Sequence, residues 1–311
     1  MNLLKYITPL NLETEREKFL NSKVYNPIFK YYWQSEKTIF NSKGLKIDLL
    51  KSIERQDVNL IHKYAKLLFR LDDWLYVKKA VNILKEEPIV KIDKDLDNIR
   101  YQFEEAFKLF NLDEYQFKIV DQHGFFFRPK YHQKTIEMSK HAMFQYFSIK
   151  GEVRHELTHI LRYENGLFNK ISKSKDYLPT EEGLATYLQD KINSNNYSLY
   201  QHAAEYMASK IGMVSSLREI FDFFISLGFN SELAWHRASR HKFGFVDTFM
   251  PGDILKPAMY FSHSQEINKL NNTEIIKLFI RKISVKDLKK YDKYFGRFKL
   301  NTLIKFFEIN N

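Results

Sequence analysis

The sequence predicts an α+β fold that is mainly helical, and three observations lead there. Gly and Pro are scarce, 10 and 7 among 311 residues, too few turn-formers for an all-β architecture. Apolar residues recur near i, i+3 and i+4 over most of the length, which is the helical period. One stretch, 115–140 (YQFKIVDQHGFFFRPKYHQKTIEMSK), breaks that period with aromatic and β-branched residues.

Taken in order, residues 11–21 (NLETEREKFLN) read as a helix capped by Asn11, with Glu in the first turn. YNPIFKYYW (25–33) ends it, because a proline disfavours helix at the residue before it. Residues 45–86 carry the period of two or three helices, and 95–112 that of another amphipathic one. Within 115–140, DQHG and RPK punctuate two or three short strands. KTIEM (134–138) reads as a strand that could pair with an extended peptide, as edge strands do. Helix returns at 148–164 and is expected to stop at Asn165-Gly166, a C-cap pair. A polar loop leads to a second helix, TEEGLATYLQDKI, with Thr180 as its N-cap. From Ser198 onward the pattern is helical except for GFVDTFMPGDILKP (244–257). No repeat or linker interrupts the chain. An N-terminal helical portion (1–100) followed by a second portion (101–311), together one compact unit, is expected.

Composition narrows the chemistry. There is no cysteine, which excludes disulfides, thiolate zinc sites and a cysteine nucleophile. Any metal must be held by His, Asp or Glu. No apolar run reaches the length of a membrane span. The first residues, MNLLKYITPLNLETEREKF, have too short an apolar stretch for a signal peptide, so a cytoplasmic location is expected. The formal net charge of +11 suits an acidic partner: nucleic acid, anionic lipid or an acidic peptide. No compact block of five or six basic residues appears, and KDLKKYDKYFGRFK and FIRKISVK are interrupted at helical spacing. They read as solvated faces of C-terminal helices, and nucleic acid is not the expected partner.

The chemistry concentrates in HELTH, residues 155–159. At 3.6 residues per turn His155 and His159 share one helix face, one turn apart, so two imidazoles can grip one zinc ion. Glu156, beside the first of them, can reach a metal-associated water and act as general base. A catalytic zinc needs a third protein ligand. Residue 165, where a third histidine would stand in the longer form of the motif, is Asn. TEEGLA supplies a carboxylate instead: Glu182 lies 23 residues after His159 and heads E-x-x-A, with the small Ala185 suited to close helix packing. Glu181 is the alternative ligand. Either glutamate at a helix start also complements the helix dipole.

TPLNLETEREKFLNSKVYNPIFKY, HELTHILRYENG and EEGLA together resemble the DUF1704 family, which includes tyrosine-releasing carboxypeptidases acting on microtubules and bacterial relatives described by a QEGLA motif. AWHRASRHKFGF followed by FMPGDILKPAMYF is similar in layout to the family's later Arg- and Tyr-containing blocks. The resemblance spans most of the chain. It implies a gluzincin-like zinc metallopeptidase fold in the 101–311 portion, with a small antiparallel sheet packed against the HELTH helix. It also implies His155, His159 and Glu182 as zinc ligands and Glu156 as catalytic glutamate. Two residues separate Glu156 from His159 where the family commonly has three, EEGLA replaces QEGLA, and the Arg block ends in KFGF rather than a glycine pair.

A peptidase of this type needs a donor for the developing oxyanion, and Tyr260, His236 and His263 are candidates. A carboxypeptidase also needs a cation for the substrate's terminal carboxylate, best an Arg fork; Arg240 and Arg162 are candidates. The expected function is therefore a zinc carboxypeptidase removing a C-terminal, aromatic residue from a peptide or protein tail. An endopeptidase, a non-catalytic metal-containing binding protein and, on charge alone, a nucleic-acid binder are the alternatives. Oligomeric state leaves no mark in the sequence.

Overall fold

The computed structural model is mainly helical with one small sheet. It describes residues 3–35, 43–71, 73–86, 96–123, 125–142, 149–192 and 197–294. The expected helix starts at 95 and 148, and the end of the last basic cluster, lie outside these. The N-terminal helices are α1 (Leu3–Ile7), α2 (Leu12–Leu20), α3 (Tyr32–Ser35), α4 (Leu45–Glu54), α5 (Val58–Phe69) and α6 (Val77–Ile83). Next come α7 (Leu96–Leu109), β1 (Gln116–Val120), β2 (Phe127–Lys130) and β3 (Thr135–Ser139). The chain continues through α8 (Ile149–Phe168), α9 (Leu178–Ile192), α10 (Tyr197–Gly212), α11 (Leu217–Ser226), α12 (Ser231–His241), α13 (Lys256–Ile267) and α14 (Asn272–Lys277). It ends in 3-10 stretches at Leu278–Ile280 and Val285–Tyr294, so the basic run KDLKKYDKY is 3-10 rather than α-helical.

Two compact units are present, each built from two separate stretches of chain. One comprises Met1–Glu86 and His202–Met259, the other Glu87–Gln201 and Tyr260–Asn311. In the first, Phe19 packs edge-on to Phe221 at 5.1 Å and against Trp235 at 4.9 Å, all buried. The same unit buries a polar cluster. His241 donates from Nδ1 to Asp253 at 2.7 Å and from Nε2 to Glu205 at 2.8 Å, and Arg237 pairs with Glu205 at 2.5 Å. Lys242, fully buried, donates to the carbonyls of Ser215, Met250 and Gly252.

The second unit holds the sheet. Its order is β1-β3-β2, with β1 parallel and β2 antiparallel to β3. The expected antiparallel sheet is therefore a mixed one. β2 and β3 form a hairpin through Tyr131–Gln133, closed by Lys134 in the left-handed region (φ 48°), and β1 adds to the far side of β3 in the same direction. KTIEM accordingly forms the central strand, not an edge: its backbone groups are taken on both sides, and no peptide can pair there. Ile136 and Met138 of β3 and Phe117 of β1 join Val153, Leu157, Ile160 and Leu161 of α8 in one buried cluster. The sheet thus packs against the helix that carries HELTH.

Three local expectations are corrected. Helix α8 does not stop at Asn165-Gly166 but runs on to Phe168. Gly166 serves passage rather than capping: a β-carbon there would lie 1.8 Å from Cδ of Arg281, which crosses the helix at that point. Thr180 is inside α9, which begins at Leu178, and its hydroxyl accepts from the Val285 N–H rather than capping the helix. Asn11 does precede α2, but its side chain caps nothing; it bonds Lys30 N and Ile28 O, tying the helix start to the 28–30 strand-like segment.

Candidate metal centre

Fourteen of the twenty residues of α8 are buried, His155, Glu156 and His159 among them, so this is an interior helix and not a surface helix with polar residues. Glu182, in the second turn of α9, faces it. One ligand atom from each of His155, His159 and Glu182 lies within 4.8 Å of the others. The His155 Nε2 is 3.7 Å and the His159 Nε2 3.5 Å from Glu182 Oε2. Gly183 permits the arrangement, because a β-carbon there would lie 2.6 Å from Cβ and 2.7 Å from the carbonyl carbon of His263 on α13.

The surrounding side chains determine which nitrogens face the cluster. Gln189 Nε2 donates to Glu152 Oε1 at 2.7 Å, so its Oε1 is turned to His155 Nδ1, 2.8 Å away, and must accept from it. His159 Nδ1 donates to Glu181 Oε1 at 2.8 Å. Each imidazole therefore carries a proton on Nδ1 and turns Nε2 to Glu182, the orientation that metal-ligating histidines use. Glu181, the alternative ligand, is thus behind the ring of His159 and not beside Glu182. It is held by Arg162 at 2.6 Å and Lys282 at 2.5 Å. Burial opposes its charge, but those two cations and His159 hold its carboxyl down at about 2.

The electrostatics match a site short of positive charge. Burial should lower the His159 pKa, yet Glu182 and Glu181 lift it to about 10. His155 moves the same way, burial again being overridden by its Glu182 contact. Burial pushes the Glu156 carboxyl up against the pull of His159 and His155. Glu156 Oε2 is buried and, among the described residues, has no hydrogen-bond partner, an arrangement that costs free energy unless a group is bound there. Two imidazole nitrogens, one carboxylate oxygen and an unsatisfied carboxylate beside them could hold a metal ion and a water.

Of the other expected residues, Tyr260 is in this unit, its ring 6.5 Å from that of His155. His263 abuts Gly183. Arg162 is corrected: it is fully buried, and its guanidinium is spent on Glu181 and on the carbonyls of Leu278, Arg281 and Ile283, leaving no fork for a substrate carboxylate. Arg240 and His236 belong to the other unit, on α12, where the Arg240 charge helps keep Glu205 ionised. Gln189, Glu152 and Lys282 escaped the sequence reading; only the i to i+7 spacing of Glu182 and Gln189 on one helix face pointed to the first of them. Among known proteins, the chain matches no family model and no curated relative.

Proposed function

We propose that the protein is a zinc-dependent metallopeptidase of gluzincin-like design, acting as a carboxypeptidase on a peptide or protein tail in the cytoplasm. The observation that carries this is the convergence of His155, His159 and Glu182 beside a buried, unpartnered Glu156 oxygen. His155 and His159 would ligate through Nε2 and Glu182 through a carboxylate oxygen, the donor set of a three-ligand catalytic zinc. When bound, zinc supplies Lewis acidity to the attacking water and to the scissile carbonyl. Glu156 takes a proton from the water as it attacks and passes it to the leaving amine. Its burial favours the protonated form, which readies it for the second transfer. Gln189 and Glu181 keep both imidazoles turned with Nε2 inward throughout.

Metal analysis of the purified protein tests the core of the proposal. One zinc per chain is expected, and it should be lost from the His155→Ala/His159→Ala protein; a stoichiometric metal that survives both substitutions would place the metal elsewhere. The carboxypeptidase form rests on the family resemblance and is tested separately. Peptides with a free C-terminus should be cut and their amidated versions should not, because the enzyme's cation for the terminal carboxylate would face no anion. Equal cleavage of both, or cuts mapped by mass spectrometry to the middle of the peptide, would make it an endopeptidase.

A further inference from the structure

Helices α8 and α9, which carry the three expected ligands, are bridged by the segment 278–287. On the α8 side, Asn165 Nδ2 donates to the Phe279 carbonyl at 3.0 Å and Arg281 to the Tyr163 carbonyl at 3.1 Å, beside the bonds of Arg162. On the α9 side, the Val285 N–H donates to the Thr180 hydroxyl at 3.1 Å. The loop that joins the two helices is taken as well: the Ser174 N–H donates to the Lys282 carbonyl at 3.0 Å, and its hydroxyl to Asp287. One side chain of the segment reaches the metal centre itself. Lys282, 7% exposed, places its ammonium 2.5 Å from Glu181 Oε1, the same oxygen that accepts from His159 Nδ1 at 2.8 Å, and also donates to the Tyr131 hydroxyl at 2.6 Å. Arg162 takes the other oxygen, Oε2, at 2.6 Å. The plane of the Glu181 carboxylate is thus set from both sides.

His155 shows that turning an imidazole needs no such arrangement. Its Nδ1 acceptor is the neutral amide of Gln189, which Glu152 of α8 steadies. At His159 the acceptor is a buried carboxylate instead, and a buried carboxylate is stable only with cations against it. One of the two cations comes from the segment. We propose that Lys282 is a positioning residue of the metal centre: through Glu181 it fixes the ring of His159, and by that chain it couples docking of 278–287 to zinc binding. The inference rests on the zinc reading of His155, His159 and Glu182. Without the Lys282 ammonium, Glu181 keeps one cation, Arg162, and that cation lies on Oε2. Nothing from the segment then holds Oε1 behind the His159 ring. The carboxylate turns toward the guanidinium, and His159 Nε2 loses its fixed bearing toward Glu182. Conversely, a His159 ring held at Nε2 by zinc keeps Glu181 in place, and with it the acceptor that Lys282 needs. Such coupling is reciprocal: the factor by which undocking weakens zinc binding is the factor by which zinc opposes undocking.

Zinc affinity of the full-length protein, measured by competition with a chelator, carries the test in a double-mutant cycle. Lys282→Met should lower it by about tenfold or more, as loss of a side chain that orients a metal-ligating histidine does. In the Glu181→Gln protein, whose neutral acceptor has no need of the cation, the same substitution should change it by less than about twofold. A loss under about twofold in the wild-type background overturns the proposal. So does an equal loss in both backgrounds, which would make Lys282 a packing residue. Hydrogen exchange tests the coupling without substituting Lys282, and decides it if Lys282→Met does not fold. Zinc should slow exchange of the Ser284 and Val285 amides, which are bonded to Ser174 and Thr180, by about tenfold in wild type and not in Glu181→Gln. Exchange there that is indifferent to zinc in wild type refutes the coupling. Wild-type protein that binds no zinc would overturn the zinc reading and this proposal together. None of these measurements uses a substrate, so a protein that binds zinc and cuts no peptide counts against the peptidase reading alone.

Discussion

A β-carbon at Gly183 would meet the backbone of His263, and neither that carbonyl nor the His263 Cβ can swing away as the end of a flexible side chain could. Gly183→Ala is expected to cost about 1–3 kcal/mol through overpacking and to displace Glu182, its neighbour in sequence. Urea unfolding and zinc titration on the same protein should both show the loss; wild-type zinc affinity in a destabilised variant would mean that the strain is absorbed away from Glu182. Glu156→Gln makes the opposite separation. It keeps the shape of the side chain and removes the base, so the protein should bind zinc as before and lose turnover. Peptidase activity at the wild-type rate in the zinc-loaded variant would rule out Glu156 as the proton carrier.

The pairing of α8 with the 278–283 segment is where one element holds another. Arg162 takes three carbonyls of that segment, and Arg281 lies across Gly166 of the same helix and donates to the Tyr163 carbonyl. Replacing Arg162 by Met leaves Glu181 with one cation fewer and three buried carbonyls without their donor. A loss of about 3–5 kcal/mol is expected from breaking a buried ion pair on one side, read as a lowered urea midpoint. A change under about 1 kcal/mol would mean that the segment is held by its apolar packing alone. This contact also explains what could be read from the sequence and what could not. The His155–His159 face and its Glu182 follow from periodicity and short spacing. The roles of Arg162, Gly166 and Glu181 depend on residues more than a hundred positions away, for which local pattern holds no signal. Asn165-Gly166 has the composition of a helix stop, and only the crossing of Arg281 gives that glycine another use. The KTIEM strand was legible as a strand, but its place in the centre of the sheet depends on which side β1 joins.

For the molecule as a whole, the buried cluster around His241 predicts how stability varies with pH. Burial alone would lower the His241 pKa, but Asp253 on one ring nitrogen and Glu205 on the other lift it from 6.5 to about 9. Its contribution is fully present below 6.5 and is lost as pH rises through 9. Lys242, which burial depresses to about 8, acts in the opposite sense between there and its ordinary value, so the loss should be steepest between about 6.5 and 8. On the acid side, burial would raise the Glu205 carboxyl, but His241, Arg237 and Arg240 hold it well below its usual range. That contribution is present above about 4.5 and disappears as pH falls. His62, lowered chiefly by burial, adds to the acid loss. The urea midpoint measured from pH 6 to 8.5 should fall in wild type and fall less steeply in His241→Gln, which keeps the parallel loss from His159 and His155. An equal slope in both proteins would remove His241 from the account. A reading along the chain, with a portion 1–100 followed by a portion 101–311, has no means of expressing units that are each assembled from two stretches.

That two-stretch construction governs the order in which the protein can acquire structure during synthesis. Residues 1–86 leave the ribosome well before 202–259, which complete their unit, and the other unit waits for the residues after 259. Chain closure over more than a hundred residues must precede the contacts that reward it, which makes such folding slow and exposes apolar surface meanwhile. Stalled nascent chains ending near residue 200 should therefore be cut by protease throughout, including the completed HELTH helix. Protection should appear in the first unit only after residue 259 has cleared the exit tunnel.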